Sequence, residues 1–438
     1  MSVERSPSGH LWILGRSTRY LAVVRALGML AALVLSVVLT RILGPEGFGQ
    51  YALALIVIQM LSIPLGRGWG TLLMRTTARY EDEDARQQAA EILGIGRFLS
   101  AGYATMVILA LFGLNWLTRA DINLSLILLI GLLLLVNQNT AFRMAILRGV
   151  RYPVFAQFPE LVMRPVIMVL TILVFAVWFN LPVDWYVALQ ALFAASVLTL
   201  FAGALLQAQV VPSLRARLAH PKIIISRGWG ASALVIGTNG FIVLVYEQLD
   251  LLLLYVFSTT ADLGIYKAAM QIGSYGGFAY ALLSYVAAAR LSAMWARNDI
   301  REIERLAARY SRLSLVFSVL FLGVLIVLGD LIVQILFGQK FDDASMIAVF
   351  LALGHIGFAL FGMSSAMLMM SNNEYFVLKG TIALLIVKFV LGMAAVFLFG
   401  TIGLALMSAI STLLLNTYLF LVVRRHLGIN LSVFGARR

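Results

Sequence analysis

The chain has 438 residues, of which 61% are hydrophobic and only 12% are charged, and its mean hydropathy is +0.95. Soluble globular domains contain about half apolar and about a quarter charged residues, so this composition excludes a soluble protein. The formal net charge is +13, and the absence of cysteine excludes disulfides, thiolate metal sites and cysteine nucleophiles. The composition therefore predicts an all-α polytopic membrane protein.

Apolar segments recur along the whole chain, and each is long enough to cross roughly 30 Å of hydrocarbon as a helix. We predict twelve spans, at residues 20–43, 48–72, 92–117, 122–147, 158–180, 184–210, 229–257, 263–288, 308–337, 344–370, 377–399 and 402–423. Two connecting stretches, EDEDARQQAAEILG and ARNDIREIERLAARY, are predicted to form surface helices along the membrane face.

The basic residues are concentrated in alternate loops, as the positive-inside rule expects of cytoplasmic loops. The intervening loops, such as LTRADIN and FNLPVDW, are poor in arginine and lysine. This placement explains the positive charge without nucleic acid, and we expect both termini to lie in the cytoplasm. The predicted order is a cytoplasmic segment 1–19, an N-lobe 20–210, a linker 211–228, a C-lobe 229–423 and a tail 424–438.

The sequence also contains a weak internal repeat. Gly49 and Tyr51 recur as Gly264 and Tyr266, at an offset of 215 residues (264 − 49). The same offset relates two pairs of arginines, Arg75 with Arg290 and Arg97 with Arg312. Such half-chain repeats are typical of transporters that bind substrate where the halves meet. The repeat predicts two six-helix lobes around a central polar cavity.

The first copy of the repeat lies in the stretch LGPEGFGQYALALIVIQ, between the first two spans. Gly44 and Pro45 are expected to stop the first helix there. Gly47 and Gly49 are expected to permit backbone angles that other residues resist. The stretch therefore predicts a tight corner between two helices at the outer face.

Several segments resemble the Wzx-type polysaccharide flippases of the multidrug/oligosaccharidyl-lipid/polysaccharide (MOP) exporter superfamily. The resemblance rests on LTRILGPEGFGQYALALIVIQ with GRGWGTLLMRTTARY, on AILRGVRYPVF, and on EQLDLLLLYVFSTTADLGIYKAAMQI. It implies a flippase that moves a polyprenyl-pyrophosphate-linked oligosaccharide to the outer leaflet of a bacterial or archaeal cytoplasmic membrane. Membrane lipid and the polysaccharide polymerase machinery are further partners that it implies.

Polar residues within the spans identify candidate site residues, because a charge at the bilayer centre costs about 2.5–3.5 kcal/mol and must face a cavity or a partner. Four arginines lie toward the cytoplasmic ends of their predicted helices: Arg25, Arg67, Arg143 and Arg164. Two interpretations remain open. The side chains either snorkel to the interface or bind the substrate pyrophosphate as forked donors. Glu160, four residues before Arg164, either forms a simple ion pair that makes Arg164 tolerable in the membrane or restrains the arginine until substrate arrives.

A second group lies deeper in the predicted membrane. Asp250 shares a helix face with Asn239 and Tyr246, and Glu247 lies one turn away. His355 and Lys388 are also placed deep. Asp250, which corresponds to the aspartate of the family pattern, and Glu247 are the candidate ion-coupling residues. A structural pair of Lys388 with Asp250 is the open alternative. No Gly-rich Walker sequence is present, so we expect an ion gradient rather than ATP, and no cofactor or metal.

Rival functions account for fewer of these features. A drug exporter of the same superfamily would normally carry coupling acids in its first helix, whereas this one carries Arg25 and no acid. A lipid II flippase usually has two more spans. A polymerase or glycosyltransferase would need a large outer loop or a carboxylate-rich site, so we do not expect an enzyme. A scaffold would leave the polar helix faces unexplained.

Overall fold

The computed structural model describes residues 18–79, 82–119, 123–178, 180, 182–210 and 227–435. All regular secondary structure in these residues is helical, and nine helical segments within them are long and apolar enough to cross a membrane. Two of the nine are divided by a glycine with non-helical angles, Gly44 (φ 67°) and Gly400 (φ 62°). A further helix is interrupted at Tyr275–Gly277. The nine segments contain eleven helices because two of them are divided, and the interrupted helix, which is not among the nine, is the twelfth. The described residues therefore contain a helix for each of the twelve predicted spans, and the all-α fold is confirmed.

The helices are numbered in chain order. Helices α1 and α2 are the two parts of Thr18–Thr77, before and after Gly44; α3 is Glu83–Thr118, α4 Leu124–Gly149, α5 Pro153–Trp178 and α6 Trp185–Val210. Helix α7 is Arg227–Phe257, α8 Thr260–Ser274 continued by Phe278–Ala296, α9 Ile300–Leu336, and α10 Ala344–Phe361 followed by Ser364–Met370. Helices α11 and α12 are the two parts of Glu374–His426, before and after Gly400.

Polar residues fix where several helices begin. The side chains of Asp82, Asn123 and Asp299 accept hydrogen bonds from backbone N–H groups in the first turns of α3, α4 and α9. Such caps satisfy donors that have no partner within the helix. The two predicted surface helices are helical, but they are not separate. They form the first turns of α3 and α9, because no breaker interrupts the chain before the apolar residues begin.

The described residues divide into two compact units. Unit 1 contains the described parts of 1–35 and 54–241. In its core Trp69, Leu73, Ile92, Phe142 and Ile146 pack together. The Trp69 indole donates a hydrogen bond of 2.8 Å to the Ile92 carbonyl, so this bulky ring is buried with its polar group satisfied. The predicted linker lies almost entirely at residues 211–226, outside the described part of the chain.

Unit 2 contains residues 36–53 and the described part of 242–438. It therefore takes in the corner between α1 and α2, which we had assigned to the N-lobe. One contact that holds this corner is made by Arg41, at the end of α1. Its guanidinium donates to the carbonyls of Leu336 at 3.1 Å and Gln334 at 3.3 Å, which lie in the last turn of α9. Helix ends leave such carbonyls without intrahelical partners.

The end of the chain also packs on unit 2. Ile429 and Leu431 are fully buried. The Asn430 N–H donates to the Glu304 carboxylate at 2.8 Å, and Arg312 donates to the Val433 carbonyl at 3.1 Å. The segment that was predicted as a tail is therefore folded against α9 at least as far as Val433.

The two copies of the repeat meet inside unit 2. The first helix ends at Gly44 and Pro45 as predicted, and Gly44 has a positive φ of 67°, which favours glycine. The expectation for Gly47 and Gly49 was wrong, because both are helical. Gly49 instead allows the backbone of α2 to pack directly against the backbone at the start of α8. A Cβ at Gly49 would overlap the Thr260 carbonyl, and a Cβ at Gly264 would lie 2.9 Å from the Gly49 nitrogen.

We expect Gly49→Ala and Gly264→Ala each to lower the apparent melting temperature of the purified protein by several degrees. The added methyl group meets backbone rather than a flexible side chain, and overpacking of this kind costs about 1–3 kcal/mol. The matched control is Gly113→Ala in α3, where an added Cβ meets nothing within 4 Å. Equal melting temperatures for all three variants would contradict the close glycine contact.

Candidate functional site

The first cluster of predicted site residues is organised by α5 in unit 1. Arg25 on α1 is half-buried, and its Nε donates a hydrogen bond of 3.2 Å to Oε1 of Gln157 on α5. Gln157 is itself buried, so the amide has little access to solvent. One turn further along α5, Oε2 of Glu160 lies 2.7 Å from Nη1 of Arg164, which confirms the predicted ion pair.

The local sequence gives α5 an unusual turn at this point. Residues Pro159–Met163 form a π-helix, and Arg164 follows immediately. Proline at 159 and 165 removes backbone donors on both sides of the ion pair. π-helical turns are rare in proteins. Those that occur are often found at functional sites. Here the turn carries Glu160, whose side chain is 12% exposed, while that of Arg164 is 34% exposed.

Arg143 lies deeper in the same unit. It is 8% exposed, and its Nη1 donates a hydrogen bond of 3.5 Å to the Thr199 carbonyl on α6. Gly203, one turn later on α6, has no side chain and so makes room for the guanidinium. Arg143 and Glu160 line the same small cavity.

Arg67 is the fourth predicted arginine and lies apart from this cluster. It is exposed on α2, and its Nη1 lies 3.4 Å from the Gly240 carbonyl on α7. Asn239, the neighbouring residue on α7, is half-buried. Three of the four predicted arginines therefore lie near α5: Arg25 contacts Gln157, Arg164 pairs with Glu160, and Arg143 shares a cavity with Glu160. The fourth, Arg67, contacts the first part of α7 instead.

The second cluster is a buried ion pair in unit 2. The Lys388 ammonium on α11 lies 3.0 Å from Oδ1 and 3.1 Å from Oδ2 of Asp250 on α7. The two side chains are 4% and 2% exposed. Ser408 on α12 donates a hydrogen bond of 2.7 Å to Oδ2, so three helices meet at one carboxylate.

Aromatic residues complete the surroundings of this pair. Lys388 donates a hydrogen bond of 3.3 Å to the Tyr246 carbonyl, and its ammonium lies 5.1 Å from the centre of the Tyr246 ring. This separation is within the range of a cation–π contact. The Tyr246 hydroxyl lies 3.2 Å from Oγ of Ser411. The hydroxyl group of the fully buried Tyr266 also lies close to Asp250.

The remaining predicted residues stand outside this cluster. Glu247 is exposed on α7, so it shares the helix with Asp250 but not the buried environment. His355 on α10 is stacked on Phe358 with ring centroids 5.7 Å apart, and it packs against Gly277 at the break in α8. Within the described ranges no group of three or more His, Asp or Glu side chains is placed to hold a metal ion.

Sequence reasoning missed the serines of α12 and the tyrosine of α8. Ser408 and Ser411 barely change the hydropathy of the last span, so nothing in their pattern distinguishes them from packing residues. Tyr266 was noted only as part of the repeat. Its place beside Asp250 depends on how α7, α8 and α12 pack, which helix periodicity does not encode.

The arrangement is that of a polytopic helical membrane protein with the fold of MOP-superfamily transporters. An inward-facing multidrug resistance MATE family transporter of this superfamily matches with a TM-score of 0.72 at 16% identity, over 93% of this chain and 98% of that one. An outward-facing structure of such a transporter gives 0.69 at 14% identity, over 97% and 99%. The Vibrio cholerae MATE transporter VcmN in its bent form gives 0.65 at 14% identity, over 95% and 98%.

The family follows from the sequence itself. Residues 14–287 match the model of the family described as polysaccharide biosynthesis protein, so the chain belongs to that family. No curated protein matches this chain. The apolar helices indicate a multi-pass membrane protein, and its fold is shared with MATE transporters of the MOP superfamily, the superfamily that the sequence resemblance indicated.

Proposed function

We propose that this protein is a flippase that moves a polyprenyl-pyrophosphate-linked oligosaccharide from the cytoplasmic to the outer leaflet, for the biosynthesis of a surface polysaccharide. The observation that carries the proposal is the set of arginines held by α1 and α5 of unit 1. The family membership supports the pathway, and the fold of the MATE transporters supports transport by alternating access.

The chemistry of a pyrophosphate fits these arginines. Its two phosphate groups present several anionic oxygens, and arginine binds such groups with two parallel N–H donors. The Arg25 guanidinium donates to the neutral amide of Gln157. Arg164 keeps a third of its side chain exposed. Arg67 is exposed and adds a further donor on α2.

We propose that an ion gradient drives the cycle, with Asp250 and Glu247 as the coupling carboxylates. Asp250 is the stronger of the two, because it is buried and contacts α11 and α12 at once. The Lys388 ammonium sits where a bound metal cation would have to sit, which favours protons over sodium. Protonation of Asp250 removes the attraction that holds Lys388, so it changes the contacts among three helices.

A drug exporter with the same fold is the alternative, since the structural neighbours include multidrug transporters. The described part of α1, which begins at Thr18, carries Arg19, Arg25 and Arg41 and no acid. A cationic drug would meet repulsion there, whereas an anionic lipid headgroup would be attracted. The proposed substrate therefore fits the charge of α1 better.

The direct test is depletion of the protein in cells that make a surface polysaccharide. We expect the polysaccharide to disappear from the surface while its lipid-linked repeat unit accumulates and stays inaccessible to a glycosidase added outside. Unchanged surface polysaccharide would contradict the proposal. Polysaccharide polymerase machinery and membrane lipid are the partners that we propose for the intact pathway.

We also propose that the protein lies in a cytoplasmic membrane with both termini in the cytoplasm. A phosphatase reporter that is active only outside the cytoplasm should give no activity when it is fused after Arg438. The same reporter fused after Asp121 should be active. Both fusion points lie outside the described residues, so the prediction rests on the loop charges alone. The reverse pattern would contradict the assignment of the twelve spans.

A further inference from the structure

Glu160 stands between two arginines with unequal contacts. Its carboxylate pairs with Arg164 at 2.7 Å. On the other side, Glu160 and Arg143 line the same small cavity, together with Thr140, Pro159 and Gly203. The cavity volume is about 10 Å³, which is room for about one water molecule. The Glu160 carboxylate thus has two guanidinium groups nearby, and it forms an ion pair with the more exposed one, that of Arg164.

Arg143 is left with weak compensation in this arrangement. A buried charge is costly unless it is paired and hydrogen-bonded. Arg143 is 8% exposed, and its hydrogen bond to the Thr199 carbonyl is long at 3.5 Å. Glu160 is the acid that lines the same cavity. A direct pair with Glu160 would therefore stabilise Arg143.

Polar atoms around Arg143 are also unsatisfied. The Oγ1 atoms of Thr140 and Thr199 are buried and have no hydrogen-bond partner among the described residues. Thr140 is 5% exposed and lines the cavity shared by Arg143 and Glu160. Native proteins leave few buried polar atoms without a partner. The Thr140 hydroxyl can therefore donate to a Glu160 carboxylate that turns toward Arg143.

The backbone that carries Glu160 suits such a movement. Glu160 lies in the π-helical turn Pro159–Met163, whose wider turn already departs from the α-helical hydrogen-bond pattern. A rotation of the Glu160 side chain about its own bonds moves its carboxylate away from Arg164 and toward Arg143, across the cavity that both residues line. Arg164 stays at the exposed side, where its charge meets an arriving ligand.

We propose that Glu160 is an exchangeable counterion, which pairs with Arg164 in the empty protein and turns to Arg143 when a pyrophosphate group binds Arg164. The inference rests on the proposed function, because it takes the pyrophosphate-linked lipid as the ligand. Glu160 is then a positioning residue. It competes with the pyrophosphate for Arg164, so it weakens binding and favours release. Its new pair with Arg143 on α4 then changes the contacts between α4 and α6, because Arg143 donates to the Thr199 carbonyl.

The test measures binding of farnesyl pyrophosphate, a short polyprenyl pyrophosphate, to the purified full-length protein. Glu160→Gln removes the competitor, so we expect binding to tighten by about tenfold, which is the order of one charge-assisted hydrogen bond. We expect transport in cells to fall in the same variant. Glu91→Gln is the matched control, because Glu91 is a buried acid of unit 1 that accepts a hydrogen bond from Gln87. Its binding should equal that of the wild type.

A second pair of variants distinguishes exchange from a structural role. Arg143→Gln removes the alternative partner, so Glu160 stays on Arg164 and we expect binding to weaken several-fold. The double variant Glu160→Gln/Arg143→Gln lacks both buried charges and should bind at least as tightly as the wild type. If the double variant binds as weakly as Arg143→Gln, then Arg143 contacts the ligand itself and the exchange of Glu160 between arginines is wrong.

If the wild type binds no farnesyl pyrophosphate, the proposed substrate class fails. If it binds and Glu160→Gln equals it, only this inference fails.

Discussion

Asp250→Asn is expected to destabilise unit 2 strongly and to abolish the response of transport to a pH gradient. The replacement leaves the Lys388 ammonium, which is 4% exposed, without its negative partner. Removing one member of a buried ion pair typically costs about 3–5 kcal/mol, because the remaining charge stays out of water. The measurement is the melting temperature of the purified protein together with transport in vesicles under an imposed pH gradient.

The double variant Asp250→Asn/Lys388→Met separates stability from coupling. Without either charge the site carries no uncompensated ion, so we expect the melting temperature to recover much of the loss. The response to the pH gradient should stay absent, because no titratable carboxylate remains at the junction of α7, α11 and α12. A double variant that transports normally and keeps its gradient dependence would show that the pair only braces the helices.

Arg25→Ala and Arg164→Ala are expected to abolish complementation of a strain that lacks a polysaccharide flippase. Each change removes a cation that we assign to the pyrophosphate, and hydrogen bonds between charged groups are worth about 1.5–3 kcal/mol. Lysine at either position should restore activity only in part, because it keeps the charge and loses the planar fork. Complementation is measured as surface polysaccharide at matched expression levels.

The control for these variants is Arg75→Ala, which removes an exposed arginine near the end of α2. Its charge is explained by the positive-inside rule, so we expect nearly normal activity. Full activity of both Arg25→Ala and Arg164→Ala would leave snorkelling as the better account of these side chains. Loss of activity in all three variants would point to a general need for charge rather than to a site.

Much of the fold could be predicted because membrane helices are specified by length and apolarity. The spans in the sequence correspond to the helices of the structure, and Gly44 divides α1 from α2 where the breaker residues predict it. The assignment of Gly49 to backbone freedom failed for a physical reason. A glycine that allows close packing has the same sequence appearance as one that allows a positive φ, and only the neighbour, Thr260, distinguishes them.

The candidate site was predicted where the partners lie on one helix. The pair of Glu160 with Arg164 follows from a spacing of four residues, and the structure places the two groups 2.7 Å apart. The pair of Asp250 with Lys388 was left as one of two alternatives, since the residues are 138 positions apart. Arg143 and Glu160 line one cavity because α4 packs against α5 and because Gly203 leaves room for the guanidinium, and neither feature has a distinctive sequence pattern.

The most direct test of the account is a flipping measurement in vesicles that contain only the purified protein and lipid. A labelled oligosaccharide linked to polyprenyl pyrophosphate is placed in the inner leaflet, and a glycosidase outside reports its arrival in the outer leaflet. We predict rapid exposure with the wild type and none with Arg25→Ala/Arg164→Ala. No exposure with the wild type, combined with gradient-driven movement of a lipophilic cationic drug in the same vesicles, would contradict the proposed function and establish a drug exporter instead.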